Sequence, residues 1–442
     1  MDHHAAVDSA LKIADGLQER GFQAFLVGGC VRDLLLGRTP KDFDISTDAT
    51  PSQVVEAFPS GKLIGAQFGV VLVDGVEVAT FRSDHDYSDG RHPGSVEFET
   101  DPKKDVLRRD FTINALMLDP VTYGHGEILD FVGGVADLEN GVVRAIGDPE
   151  RRFAEDHLRM LRAIRFAARF RFRIDNATMA AMHKLRGNIL KVSAERIRDE
   201  LVRILTEGGA RYGFELLDHS GLLAEILPEV STMKGVEQPP EFHPEGDVWV
   251  HTLIMLEQMQ SPTPALAMGV LLHDVGKPPT FRVADRIRFD GHVEAGLELA
   301  RGILTRLRFS NEDSEQVLAL IANHMRFGEV RRMRESTVKR FLRLPRFEEH
   351  LELHRVDCLS SHGHLDNYEF MKQRREETPV EVIRPKRVLN GNDLIAAGYA
   401  PGPEFSRMLE IAEDAQLEGT VQTAEEALAL ICASFGPPED SR

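Results

Sequence analysis

The apolar positions of this chain change period near residue 150, and the elements they predict change with them. Before that point, short apolar runs are punctuated by glycine and proline. Val7, Leu11, Ala14 and Leu17 recur at helical spacing and predict an opening helix from Ala5 to Arg20. Phe25 to Val27 reads as a buried strand, Gly28-Gly29 as a sharp turn, and Val31 to Leu36 as a short helix. A second strand is expected from Asp42 to Ser46. A helix follows to about Phe58, with Asp48 or Thr50 as cap and Pro51 in its first turn. Val70 to Val73 and Val76 to Arg82, joined by Asp74-Gly75, predict a hairpin. Roughly the first 120 residues therefore form an α+β unit on a small mixed sheet.

Gly133-Gly134 and Gly141 mark the passage out of this unit, with Asp130 to Gly134 as the expected hinge. Beyond Pro149 the pattern is helical. Leu158, Leu161, Ile164 and Phe166 supply a core side, while Asp156, Arg159, Arg162 and Arg165 follow one another at every third position. More helices are expected from Asn176 to about Ile226. The Pro/Gly-rich stretch around Pro239-Pro240 marks another boundary. The expected organisation is a head over 1–148, an all-α neck over 149–238, a helical body over 239–375 and a tail over 376–442.

Composition narrows the class. The 442 residues are 42% hydrophobic and 28% charged, as expected of a water-soluble globular protein. No apolar run approaches a membrane span, and the first residues lack a basic-then-apolar signal region, so no membrane partner and a cytoplasmic location are expected. Cys30, Cys358 and Cys432 are too few and too scattered for a disulfide framework. A net charge of −18 argues against indiscriminate coating of nucleic acid. Local basic stripes are the better guide to RNA binding, and Glu329 to Arg346 carries seven basic residues. Of these, Arg331, Arg332 and Arg334 are the expected contacts with an RNA backbone. From Asp393 to Arg442 there are ten acidic and two basic residues, which argues against RNA coating by the tail. No obligate protein partner is evident.

The chemistry concentrates in four places. Asp42 and Asp44 are two apart, so in a strand both carboxylates face one side, where they can hold a divalent cation. Gly28 and Gly29 lie at a helix N-terminus suited to phosphate, with Arg32 nearby. Arg109 and Asp110 combine a guanidinium for triphosphate with a carboxylate for ribose or metal. Asp156 and Arg159 combine an acceptor and a donor of the kind that can mimic a Watson–Crick edge.

In this order the segments Phe25–Asp44, Arg108–Leu116 and Glu155–Arg165 resemble the motifs of the class II tRNA nucleotidyltransferases (CCA-adding enzymes) and of the bacterial poly(A) polymerases that share their head. The resemblance implies a polymerase-β-like head and template-independent addition of CCA to tRNA 3′ ends from CTP and ATP. It implies Mg2+ on Asp42 and Asp44, and triphosphate and ribose contacts from Gly28, Gly29, Arg32, Arg109 and Asp110. Base selection falls to Asp156 and Arg159, with Arg162 and Arg165 supporting that pair or contacting phosphate. Asp110 and Glu77 both remain open as a third metal carboxylate. Ser83 to Pro93 corresponds to the family's mobile loop for adding the last adenosine, which weighs against an enzyme adding only the two cytidines. Ile64 to Gly69 looks more like the CCA-adding than the poly(A) pattern. Poly(A) addition and addition of only part of CCA remain alternatives.

A second constellation lies in the body. An adjacent His-Asp after the apolar run Val270-Leu-Leu is costly to bury unless something binds it. His251, His273, Asp274 and Asp357 resemble the ligand order of the HD phosphohydrolases, with His292 and His324 available for a second ion. Imidazoles with carboxylates suit Mn, Ni, Co, Fe or Mg. The resemblance implies an additional phosphohydrolase activity. A metal phosphohydrolase whose head merely binds RNA is the alternative from another class.

Overall fold

A computed structural model describes residues 3–65, 69–85, 94–120, 127–241 and 243–438. The chain divides into two compact units, Met1–Thr232 with Ile303–Phe309, and Met233–Gly302 with Ser310–Arg442.

The first unit begins on a mixed sheet. Its strands are β1 (Ala24–Val27), β2 (Asp44–Thr47), β3 (Lys62–Gly65), β4 (Val70–Val73), β5 (Val76–Thr80), β8 (Met117–Leu118) and β9 (Ile128–Leu129), while β6 (Arg82–His85) and β7 (Ser95–Phe98) form a separate ribbon. The sheet order is β3-β4-β5-β2-β1-β8-β9; β2 and β5 run parallel and the other neighbours antiparallel. β1 is buried at all four positions, which its uninterrupted apolar run requires. The expected hairpin forms between β4 and β5, with Asp74 and Gly75 both at positive φ.

Helices α1 (His3–Gln18), α2 (Gly29–Leu35), α3 (Pro51–Ala57) and α4 (Pro102–Leu107) accompany the sheet. Thr50 and Gln53 close a capping box on α3, so Thr50 rather than Asp48 is its cap. Asp130 accepts from the backbone N–H groups of Val132, Gly133, Gly134 and Val135, anchoring the start of α5 (Gly134–Glu139). Then follow α6 (Pro149–Glu155), α7 (Arg159–Phe170), α8 (Asn176–Leu185), α9 (Ala194–Thr206), α10 (Ala210–His219), α11 (Leu222–Ile226) and α12 (Pro228–Ser231).

Three expectations are corrected here. β2 starts at Asp44, not Asp42, because its partner β1 ends at Val27, opposite Asp44, and the chain turns away at Gly28. Asp42 is therefore exposed and outside the ladder. The arginine-rich helix is broken: Asp156 is extended (φ −145°, ψ 108°) and its side chain accepts from Leu158 N–H at 3.0 Å, ending α6 and opening the turn before α7. The segment expected to be wholly helical also contributes β11 (Arg173–Ile174), which pairs in parallel with β10 (Val142–Val143).

The second unit is built on α13 (Val248–Gln258), α14 (Pro264–Leu272), α15 (Lys277–Thr280), α16 (His292–Arg306), α17 (Asn311–Asn323), α18 (Glu335–Leu342) and α19 (Phe347–Ser360). Its only strands among the described residues are the hairpin β12 (Arg282–Val283) and β13 (Ile287–Arg288). α14 is apolar on every face and buried from Ala265 onward, the signature of a central helix. After α20 (Asp366–Glu377) and α21 (Val380–Ile383), α22 (Gly391–Ala396), α23 (Glu404–Glu418) and α24 (Ala424–Phe435) close over a core that includes Leu394, Met408 and Ile431.

Candidate active site and histidine centre

The register of the sheet builds the first site. Asp44 lies opposite Val27 on β1 and opposite Glu77 on β5. The first pairing sets Asp44 beside the glycine turn; the second sets two carboxylates side by side. Gly28 has φ +74°, and a Cβ there would stand 3.4 Å from Arg109 Nη1, so glycine serves both the turn and the approach of that arginine. Burial pushes the Asp44 carboxyl up to about 6; Glu77 and Asp42 add to this, while Arg109 opposes it. A divalent cation relieves that repulsion. Glu77, not Asp110, is the third carboxylate adjoining Asp44: Asp110 is committed to Arg162 at 2.7 Å and to the Phe111 N–H at 2.8 Å. Burial opposes the charge of Asp110, but Arg162 and Arg159 outweigh it and hold its pKa down to about 2.

A cavity of about 620 Å³ joins Gly28, Gly29, Arg32, Asp44, Arg109, Asp110, Asp156, Arg159, Arg162 and Arg165. Of the residues singled out for this site, Asp42 and Glu77 do not line it. Asp156 and Arg159 do not pair with each other. Asp156 is held by Arg196 of α9 at 2.8 Å, and Arg159 by Glu155 at 2.7 Å. Arg165 is buried and paired with Glu200 at 2.7 Å. Arg32 is likewise buried, bonded to Asp33 and Asn114 and stacked 4.6 Å over the Phe170 ring. Phe166 carries three guanidinium groups, those of Arg32, Arg162 and Arg165. Arg196 was not legible from spacing; a basic residue early in a helix gives no sign of its partner 40 positions away. Within Ser83 to Pro93, residues 86–93 lie outside the described residues, as do residues 66–68 of the Ile64 to Gly69 stretch.

The histidine centre gathers every residue expected there. His251 is in α13, His273 and Asp274 follow the end of α14, His292 opens α16, His324 follows α17, and Asp357 is in α19. Gly276 makes this possible: a Cβ there would lie 2.0 Å from the His292 carbonyl oxygen, so only glycine lets the start of α16 come this close to the His-Asp pair. His251, His273 and Asp357 offer atoms within 4.8 Å of one another, and Asp274, His292 and His324 do the same. The Nε2 atoms of all four histidines and Oδ1 of Asp274 are buried without a well-aligned hydrogen bond, although Nε2 of His251 lies 3.2 Å from Asp357 and Nε2 of His273 3.0 Å from Asp274. Five such groups facing one another fit a metal centre and are hard to explain otherwise.

Around this set, Glu245 accepts from Nδ1 of His251 at 2.7 Å and of His243 at 2.8 Å, fixing which nitrogen His251 presents. Lys277 Nζ lies 2.7 Å from Asp274 Oδ2. Burial opposes charge on His251, yet the Asp357 and Glu245 carboxylates win and raise its pKa to about 9. His324, desolvated and beside His273, falls to about 4.

Arg331, Arg332 and Arg334 are exposed. Arg331 lies 4.0 Å from Asp366 and Arg332 3.4 Å from Glu329, and the less exposed members of the run are also paired: Arg340 with Asp414 at 2.8 Å, Arg343 with Glu413, and Arg346 with Glu349. No helix among the described residues is long and apolar enough to cross a membrane.

Residues 24–144 match the Poly A polymerase head domain, 171–234 the probable RNA and SrmB- binding site of polymerase A, and 248–358 the HD domain. A CCA-adding enzyme of Latilactobacillus sakei is 36% identical over 273 residues, which span 60% of this chain and 67% of the relative. The chain belongs to the CCA-adding enzyme family. Another member, from Lactobacillus helveticus, is 39% identical over 258 residues, 56% of this chain; the match spans 63% of that relative, less than two thirds of its length. The Bacillus stearothermophilus CCA-adding enzyme, solved in complex with CTP, superposes with a TM-score of 0.73 at 25% identity, covering 97% of each chain. The family fold is thus the one expected: an α+β polymerase head followed by helices.

Proposed function

We propose that this protein adds CCA to tRNA 3′ ends from CTP and ATP. The observation that carries the reading is one cavity holding the glycine turn, Asp44 and the pair Asp156 and Arg159. Membership of a family with a CTP-bound relative supports it. Gly28, Gly29 and Arg109 receive the triphosphate, with Arg32 holding the turn's helix in place. Asp42, Asp44 and Glu77 would hold Mg2+, which would supply positive charge for transfer of the nucleotidyl group. Asp156 accepts from the exocyclic amino group of cytosine or adenine while Arg159 donates to a ring acceptor, which disfavours uracil and guanine. Asp110 positions Arg162 along the same wall. Arg331, Arg332 and Arg334 contact the tRNA backbone. The chain is read as head (1–148), neck (149–238), HD-type body (239–375) and tail (376–442).

The test offers tRNA transcripts lacking CCA, CTP first and ATP afterwards. Two cytidines and one adenosine followed by arrest support the reading. Long tails from ATP alone on any RNA overturn it in favour of poly(A) addition.

The five buried ligand atoms without a well-aligned hydrogen bond favour a second activity in the body. His251, His273, Asp274 and Asp357, with His292 and His324, would hold one or two divalent ions, which would supply the activation of water for attack on a phosphoester. Water adds to phosphorus, the ester P–O bond breaks, and the alcohol leaves with a proton. Changing His273 and Asp274 to alanine should abolish hydrolysis and leave nucleotide addition intact; no metal-dependent hydrolysis by the unaltered protein overturns the activity.

A further inference from the structure

Arg108 and Arg109, which both line the cavity at the glycine turn, are held by one carboxylate. It belongs to Asp105, a fully buried residue of α4. Each of its oxygens takes one arginine. Oδ1 accepts from Arg108, through Nη2 at 2.7 Å and Nε at 2.8 Å. Oδ2 accepts from Arg109, through Nη2 at 2.9 Å and Nε at 3.3 Å. With both oxygens engaged, the carboxylate is not free to turn. Ser46 adds a second hold on Arg109, because its Oγ accepts from Nη2 at 3.0 Å. Ser46 is buried on β2, two residues beyond Asp44, so the two side chains leave the strand on the same face.

These bonds use Nε and Nη2 of Arg109. Nη1 makes no hydrogen bond among the described residues, and it is the atom that stands 3.4 Å from where a Gly28 Cβ would be. The bonded edge of the guanidinium is therefore tied to α4 and β2, while its free end points at the glycine turn. Asp44 offers this arginine a rival partner: it is the register partner of Val27, the residue before Gly28, and it lines the same cavity. A guanidinium free to turn would neutralise Asp44 and compete with a cation there. Paired N–H bonds to a buried carboxylate hold it against that turn. Resting on the nucleotidyl-transfer reading of this cavity, we propose that Asp105 is a positioning residue: with Ser46 it grips Arg109 by Nε and Nη2, so that Nη1 meets the nucleotide triphosphate at Gly28 and Gly29 and Asp44 stays open to metal. Asp105 touches no substrate and acts wholly through Arg109.

The test measures CTP addition to a tRNA lacking CCA, and CTP binding by equilibrium dialysis, both across a Mg2+ titration of the full chain. Asp105→Asn keeps the shape and removes the charge. It should raise KM for CTP about ten-fold and the Mg2+ concentration at half-saturation about three-fold or more, with KM for tRNA unchanged. Asp105→Glu keeps the charge and should recover most of the loss. Ser46→Ala should move the same two quantities in the same direction by a smaller factor. In a chain carrying Arg109→Met, neither change should weaken CTP binding further, because no guanidinium is left to aim. Losses that persist in full beside Arg109→Met, or that fall equally on CTP and tRNA, make Asp105 a residue of structure alone and overturn the proposal; so does an unchanged KM for CTP. Where Asp105→Asn does not fold, Ser46→Ala with and without Arg109→Met decides on the same terms. A wild-type protein that binds CTP without extending tRNA overturns the transferase reading, and the dialysis then decides the role of Asp105 by itself.

Discussion

Asp44 on β2 and Glu77 on β5 occupy the same rung of a parallel ladder, so the sheet itself sets two carboxylates side by side. Glu77 should therefore matter to catalysis almost as much as the Asp42–Asp44 pair. Glu77→Gln keeps the shape and removes the charge. It should lower kcat for CTP addition by roughly 100-fold or more, and Asp42→Ala or Asp44→Ala should abolish addition, while tRNA binding by filter assay stays near wild type. A Glu77→Gln enzyme of normal kcat excludes Glu77 from the metal site.

The same adjacency predicts a pH dependence in metal-free protein. The folded Asp44 carboxyl titrates near 6 and an unfolded aspartate near 3.8, so the folded state binds this proton more tightly. Its ionised form then destabilises the fold above pH 6, and the penalty is relieved as pH falls from about 6 toward 4. Urea unfolding with chelator should find Asp44→Asn more stable than wild type at pH 7, by up to about 3 kcal/mol. The gap should close near pH 4, and Mg2+ should stabilise only the wild type.

Arg196 is bonded to Asp156, the carboxylate proposed to read the base. Arg196→Met leaves Asp156 without its anchor. The expected result is a five- to thirty-fold fall in the preference for CTP over UTP, equivalent to about 1–2 kcal/mol, measured as the ratio of kcat/KM values. Equal losses for both nucleotides would mean that Arg196 serves only stability.

Binding of a metal ion at the histidine centre is linked to the stability of its unit. Mn2+ at about 100 times its dissociation constant should stabilise the wild type by about 2.7 kcal/mol, seen as a rise in Tm. Asp274→Asn should lose the rise, and CCA addition should be unchanged.

Arg331, Arg332 and Arg334 are the members of their run that remain exposed, whereas Arg340 and Arg343 are neutralised by α23. Changing the three to alanine should weaken tRNA binding and flatten the plot of log affinity against log salt by roughly one for each phosphate that is no longer neutralised. The same changes at Arg340 and Arg343 should instead loosen the packing of α18 on α23.

Much of this was legible because it is local. Asp74-Gly75 between alternating apolar residues fixes a hairpin from its immediate neighbours, and Thr50-Pro51 announces a helix start. The histidine centre was legible for a different reason: an adjacent His-Asp pair at the end of an all-apolar helix has few other uses. Illegible were the choices among like residues. Eight arginines lie between Arg151 and Arg173, and which of them meets Asp110, Glu155 or Glu200 depends on pairings 4 to 52 positions apart. The break at Asp156 was hidden because its neighbours keep helical periodicity on both sides, although an aspartate capping the next turn is a signal that local reading can use. β12–β13 was missed because two-residue strands of exposed residues carry no apolar alternation.

The break at Asp156 also has a mechanical side. A residue inside a continuous helix keeps a fixed distance from the residue three positions on, because intervening backbone bonds would have to rupture to change it. Asp156 instead sits at a joint between two short rods, and Arg159 belongs to the second. A bend of a few degrees at that joint breaks no bond inside either helix and is limited by the Arg159 N–H to Asp156 carbonyl bond at 3.1 Å. Cytosine and adenine carry the same amino donor beside a ring acceptor but, as pyrimidine and purine, hold that edge at different distances from the sugar, so a bend at the joint would let one pair of side chains follow the edge of either base.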